Sequence, residues 1–388
     1  MLRYPSSYVR LGIMCAIPRE AIGLEYSRFA VRTGAREGSY NLTIIGAIAC
    51  AAALVGHGGH LYRALAFGVV VSLAVAFALD DEPISKKVSL LSLPGQLWSY
   101  ARLSVGVAKD AAGYLVATFL AFIFLAPAAR AYGLWHGWAY VAAYALLLGV
   151  RSAYAIWLLS RARERWEARL PPFTVRKGNL RSVRRAVKHV VWSFFVGNVG
   201  LAVRCGKQVA LLSAFAFLAG TFPEHVAARW PHAWVLGGIL AMAVVYRHGA
   251  LLDALYYKIH RTLHVSSALY SGLHRIHHKA VLPTILDAGT ESPGELLLTE
   301  YAAPVHVLLP SWLFFLAELT MFVGHFEGHR TRPLRGADGK TYLDAHIDHH
   351  RLVSFNFSCG SEPDPPETAR ALPILVEPEG QGLATSTP

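Results

Sequence analysis

Repeated apolar runs constrain this chain before anything else does. They occur at Asn41–Gly56, Ala64–Leu79, Ala111–Ala129, roughly Trp135–Leu159, Gln208–Phe222 and Ala233–Tyr246. Soluble domains are about 45–50% apolar and about 25% charged. This chain of 388 residues is 54% apolar and 16% charged, with a mean hydropathy of +0.36. The balance excludes disordered, collagen-like and coiled-coil architectures and predicts a polytopic, all-α transmembrane protein. Several runs are shorter than the roughly 20 residues of a spanning helix, so tilt or bilayer thinning is implied. Strands are not indicated.

The net charge of +12 is concentrated between the runs. Residues 1–40 carry six Arg, residues 80–110 four Lys or Arg, and Arg161–Lys188 ten. Positively charged connections stay in the cytoplasm, so hairpins at 41–79, 111–159 and 208–246 would each return the chain there. Everything from residue 247 onward is then expected to be cytoplasmic. The first forty residues do not resemble a secretory signal, which agrees with a cytoplasmic start. Arg151, inside the fourth run, is expected to snorkel or face the bundle. Residues 189–205 read as a further buried or interfacial helix. No zinc-finger, RRM or helix-turn-helix pattern accompanies the charge, so nucleic acid is not an expected partner. Cys15, Cys50, Cys205 and Cys359 have neither metal-type nor redox-type spacing.

Eighteen histidines are unevenly placed. Ten form four groups: His260-x3-His264, His274-x2-His277-His278, His325-x3-His329 and His346-x2-His349-His350. Residues three or four apart share a helix face, so each group is expected to aim its imidazoles at one place. Ten ring nitrogens exceed what one metal uses, whereas two ions with four or five nitrogen ligands each account for all of them. The remaining histidines, such as His248 and His306, read as ordinary core or interfacial residues. For the four groups to meet, the apolar stretch Leu296–Gly324 must enter the membrane and return, with Pro304 and Pro310 as the predicted breaks. All-nitrogen ligation suits iron, zinc, copper or nickel without choosing among them.

Asp253 through His264, Leu269-Tyr270, His274-Arg275-Ile276-His277-His278 and Pro283-Thr284 resemble the fatty acid hydroxylase and sterol desaturase superfamily. The later groups, closing on Asn356-Phe357, follow in the same order, and the resemblance covers roughly residues 245–360. Ser292-Pro293-Gly294-Glu295 stands where family members often carry an H-P-x-E element. The resemblance implies a cytoplasmic histidine-rich dimetal catalytic cap holding two iron ions, which isolation can leave as zinc. It implies dioxygen as co-substrate and hydroxylation of an unactivated C–H bond of a lipid. A desaturase or methyl oxidase on the same centre is the rival product chemistry. A membrane metal- or heme-binding protein is the rival that is not an enzyme.

The expected organisation is a cytoplasmic segment at 1–40, transmembrane hairpins and a basic loop at 41–188, a catalytic domain at 189–360, and a disordered Pro-rich tail at 361–388. Asp253, Glu327, Asp344 and Asp348 are near enough in sequence to orient ligating histidines. Tyr256, Tyr257 and Tyr270 read as aromatic packing. No heme, ferredoxin or dinucleotide motif is present. The two electrons must then come from a separate donor, of ferredoxin or cytochrome b type with its reductase.

Overall fold

The computed structural model describes residues 39–56, 59–81, 86–88, 90–91, 93–98, 101, 105, 112–124, 138–162, 183–220, 233–266, 269–280, 283–299, 306–307, 309–330, 333–335, 341–343, 345–352, 357 and 375–376. The helices are α1 (Ser39–Gly56), α2 (His60–Leu79), α3 (Ala112–Phe124), α4 (Trp138–Ser160), α5 (Val183–Gly220), α6 (Ala233–Val265), α7 (Pro293–Thr299), α8 (Ser311–Gly328) and α9 (Ala345–Leu352). Segments Ser39–Gly56, Tyr62–Leu79, Trp138–Ser160 and Val183–Leu211 are long and apolar enough to cross a membrane. Their outward faces carry exposed apolar side chains such as Phe67, Leu146 and Ile156.

Helix α5 is the axis of the bundle. The α1–α2 hairpin packs on one side of it, where Ala47, Val69, Val199 and Ala202 meet. Helices α4 and α8 pack on the other, through Tyr140, Leu147, Leu201, Phe314 and Phe315. At the histidine-bearing end, Leu158, Val190, Leu286, Phe322 and Phe326 tie α4, α5 and α8 to the loop before α7. Gly289 in that loop lies so close to α5 that a Cβ there would meet the His189 carbonyl oxygen at 2.8 Å.

Two expectations about the spans change. The helix read at 189–205 and the run beginning at Gln208 are one continuous α5, since neither proline nor a turn signal interrupts residues 183–220. The boundary drawn at 188/189 therefore falls inside a helix. The run read as ending at Tyr246 likewise continues through α6, whose 33 residues extend about 50 Å and carry His260 and His264 beyond its apolar half. Arg151 faces the bundle.

The chain does contain strands. Pro333–Arg335 (β1), Thr341–Leu343 (β2) and Leu375–Val376 (β3) form an antiparallel sheet in the order β1-β2-β3, with Leu334 opposite Tyr342 and Tyr342 opposite Leu375. Segments of two or three residues are too short to show period-two alternation, so the sequence carries no signal for them. β3 lies in the tail expected to be disordered; the rest of 361–388 lies outside the described residues. So do residues 1–38 and most of the basic segment 161–188, where Lys188 pairs with Asp81.

Candidate metal centre

The break expected after α7 is present. Pro310 starts α8, and Pro304 lies outside the described residues. α8 brings His325 and His329 to the end of the bundle that already holds α6 and the His274–His278 segment. The last turns before that segment are irregular. A π-helical turn at Tyr270–His274 is followed by a 3-10 turn at His277–Lys279. π-helical turns recur at functional sites, and the change from a wide turn to a tight one re-aims side chains that a regular helix would stack.

Nine of the ten grouped histidines converge in two clusters. His260, His264, His274, His278 and His349 form one; His277, His329, His346 and His350 form the other, with the potential ligand atoms of each cluster within 4.8 Å of one another. His325 stands outside both. It donates from Nε2 to the Ala288 carbonyl oxygen at 2.8 Å and lies 3.7 Å from Glu291.

The sorting corrects the expectation that each sequence group serves one place. Residues i and i+4 stay together, so His274 and His278 share a cluster, as do His346 and His350. The residue between them points away, so His277 joins the second cluster and His349 the first. Each H-x-x-H-H group therefore supplies both clusters, because adjacent side chains diverge by more than a quarter-turn around a helix. The pairing interlocks the two segments, with the His277 and His350 rings 4.5 Å apart and those of His278 and His349 4.8 Å apart.

Donor chemistry fits a cation in each cluster. In the first, the Nε2 atoms of His264, His274 and His278 lie 2.8, 2.9 and 3.1 Å apart. His274 Nδ1–H donates to Glu295 Oε1 at 2.6 Å, which fixes the tautomer and leaves Nε2 as a lone pair facing inward. His260 likewise donates from Nδ1 to the Phe357 carbonyl at 2.9 Å. In the second, His329 Nδ1–H donates to the His325 carbonyl at 2.7 Å, and its Nε2 faces those of His346 at 3.2 Å and His277 at 3.4 Å. Both ring nitrogens of His350 are buried without a hydrogen-bond partner.

Burial keeps these rings neutral, the form that ligates metal. Desolvation pushes His260 down to about 4 and His278 and His346 to about 3. His274, His277, His329, His349 and His350 are held well below the usual imidazole range, first by burial and then by neighbouring imidazoles.

The described residues place two further carboxylates at the site. Glu327 accepts a hydrogen bond from Tyr154 at 3.2 Å and faces Arg330. The side chains of Asp253, Asp344 and Asp348 lie outside the described residues. Glu291 and Glu295 lie at the site, grouped with His277 within the same 4.8 Å limit. Burial raises both above the usual carboxylate range, Glu295 well above it. The usable signal was the spacing in Ser292-Pro293-Gly294-Glu295, whose glutamate starts α7 with Ser292 Oγ accepting from its amide at 3.1 Å. Tyr256 and Tyr270 pack edge-on or tilted against the imidazoles, with ring centres 5.2 Å from His260 and 5.4 Å from His264.

Residues 245–361 match the fatty acid hydroxylase family. The chain carries a fatty acid hydroxylase domain. The matched residues include all ten grouped histidines. No curated protein and no solved structure matches the chain.

Proposed function

We propose that this protein is a membrane-bound di-iron oxygenase that hydroxylates an unactivated C–H bond of a lipid, using dioxygen and two electrons from a separate donor. The observation that carries the reading is the convergence of nine imidazoles, eight of them buried and that of His264 partly so, into two adjacent clusters within the hydroxylase domain. His260, His264, His274, His278 and His349 would hold one ion, and His277, His329, His346 and His350 the other. Bound there, iron would supply the dioxygen activation that breaking an aliphatic C–H bond requires.

The remaining chemistry belongs to the chain. Glu295 and the Phe357 and His325 carbonyls fix three imidazoles by their outer nitrogens, so the inward nitrogens are presented in one orientation. Phe357 packs its ring against those of His260, His264 and His349, 5.8, 5.2 and 5.3 Å between centres, and would shield the first cluster from water. Helices α4 and α5 lead from an apolar outer surface to this end of the bundle, a path suited to a substrate dissolved in the bilayer. The catalytic unit faces the cytoplasm, where a ferredoxin- or cytochrome b-type donor and its reductase operate.

Elemental analysis of detergent-purified protein tests the centre. About two metal ions per chain are expected in the wild type, with a fall in His278→Ala. Near-zero metal in folded wild type would overturn the reading. Lipid extracts from cells expressing the two forms then identify the product: a new alcohol supports hydroxylation, and a new alkene assigns the same centre to desaturation.

A further inference from the structure

A second polar cluster lies inside the bundle, away from the histidines. Arg151 sits midway along α4 and is 3% exposed, and its Nε and Nη1 have no hydrogen-bond partner. Its guanidinium lies over the Phe322 ring, 4.3 Å from the centroid. The opening it occupies depends on Gly197 of α5, where a Cβ would stand 2.9 Å from Arg151 Nη2. The charged groups acting on Arg151 are Arg204 and Glu318. Glu318 is already engaged by Arg204, with Nε 2.8 Å from Oε1. Among the described residues, Glu318 is thus engaged by Arg204, and Arg151 Nε and Nη1 stay unpaired within apolar helices. Close by, His306 is buried with neither ring nitrogen bonded.

An uncompensated charge in such surroundings is costly, and ionisable groups at membrane depth normally face a partner or a bound ligand. We propose that Arg151 is the anchor of an anion site that takes the acidic head group of a lipid, a carboxylate or phosphate, with Arg204 and Glu318 framing it. Arginine suits this role because its planar fork pairs with an oxyanion through parallel N–H donors. A lipid-borne anion fits better than a free one because the adjoining outer surface is apolar, Val150 and Ile156 being exposed on α4. Phe322, beneath the guanidinium, lies seven residues before His329 on α8, about 10 Å along the helix. A lipid held at Arg151 thus has its alkyl chain within reach of the imidazole clusters. Calling that lipid the substrate rests on the oxygenase reading; its binding does not.

Competition binding to the full-length protein in neutral detergent tests the site without metal or turnover. Radiolabelled palmitate is the probe, with palmitate, hexadecanol and acetate as competitors. Wild type is expected to prefer palmitate to hexadecanol by about tenfold, and acetate to compete poorly. Arg151→Met should erase the preference while keeping the wild-type metal content, and Gly197→Ala should weaken it by displacing the guanidinium. Equal binding of palmitate and hexadecanol by wild type, or an undiminished preference in Arg151→Met, would overturn the proposal. Acetate competing as well as palmitate would overturn the lipid-borne part of it. Should Arg151→Met fail to fold, the wild-type comparison and Gly197→Ala still decide.

Discussion

The two imidazole clusters are built from different distances along the chain. The five-histidine cluster draws four members from the nineteen residues His260–His278 and adds only His349 from afar. A carboxylate and a backbone carbonyl orient it from outside. The four-histidine cluster takes His277 from that segment, His329 from the end of α8 and His346 and His350 from α9, so it exists only because α8 and α9 arrive at the same end of the bundle. One cluster is largely a property of local helix geometry; the other is a property of topology. Their shared dependence on the two H-x-x-H-H segments makes them a single assembly despite this difference.

Neighbouring substitutions can separate the clusters. His349→Ala removes a ligand from the five-histidine cluster, and His350→Ala one from the four-histidine cluster. Each is expected to lower metal content from about two ions per chain toward one, with loss of most oxygenase activity. Their metal-titration curves should differ, since His349→Ala leaves four imidazoles in its cluster and His350→Ala only three. Indistinguishable curves would break the division between clusters.

A smaller effect is expected outside the ligands. Glu295→Gln keeps the size of the group that receives His274 Nδ1–H but replaces the carboxyl acceptor with an amide. Metal affinity should fall by about 10–100-fold, as it does when such orienting partners are lost. The loss should be confined to the five-histidine cluster and visible as one weakened step in a metal titration. Loss of both steps together would show that Glu295 acts on the whole assembly.

The smallest effect is assigned to His325. Its ring bonds the Ala288 carbonyl and points to neither cluster, so His325→Ala should retain about two ions per chain, in contrast to His329→Ala. A fall equal to that of His329→Ala would return His325 to the ligand set and make the second cluster five-membered.

Much of the architecture is legible from the chain alone because the signals are periodic and long. Apolar runs announce the spanning helices, and α1, α2 and α4 fall close to where the runs at 41–56, 64–79 and 135–159 place them. The i, i+4 spacing pairs His260 with His264, His274 with His278 and His346 with His350 even before their partners are known, but fails for His325 and His329. The family resemblance and the observed hydroxylase domain cover nearly the same residues. Short strands and helix continuity were less accessible. β1, β2 and β3 have too few residues for a pattern, and α5 contains charged Arg204 and Lys207 that made one helix read as two.

What the sequence determines by itself, then, is an apolar helical chain with enough spaced imidazoles for two metal ions, because both depend on residue type and local spacing. Which histidine joins which cluster, and which carboxylates attend them, is decided by tertiary structure. His277 and His278 are chemically identical neighbours; only the arrival of α8 on one side and of α9 between them gives each a different set of partners. Glu295 becomes important for the same reason, since α7 carries it to His274 across twenty-one residues. Arg151 shows the other side of this rule. Its charge is plain in the sequence, but the missing partner that points to a ligand appears only once α4, α5 and α8 have closed around it.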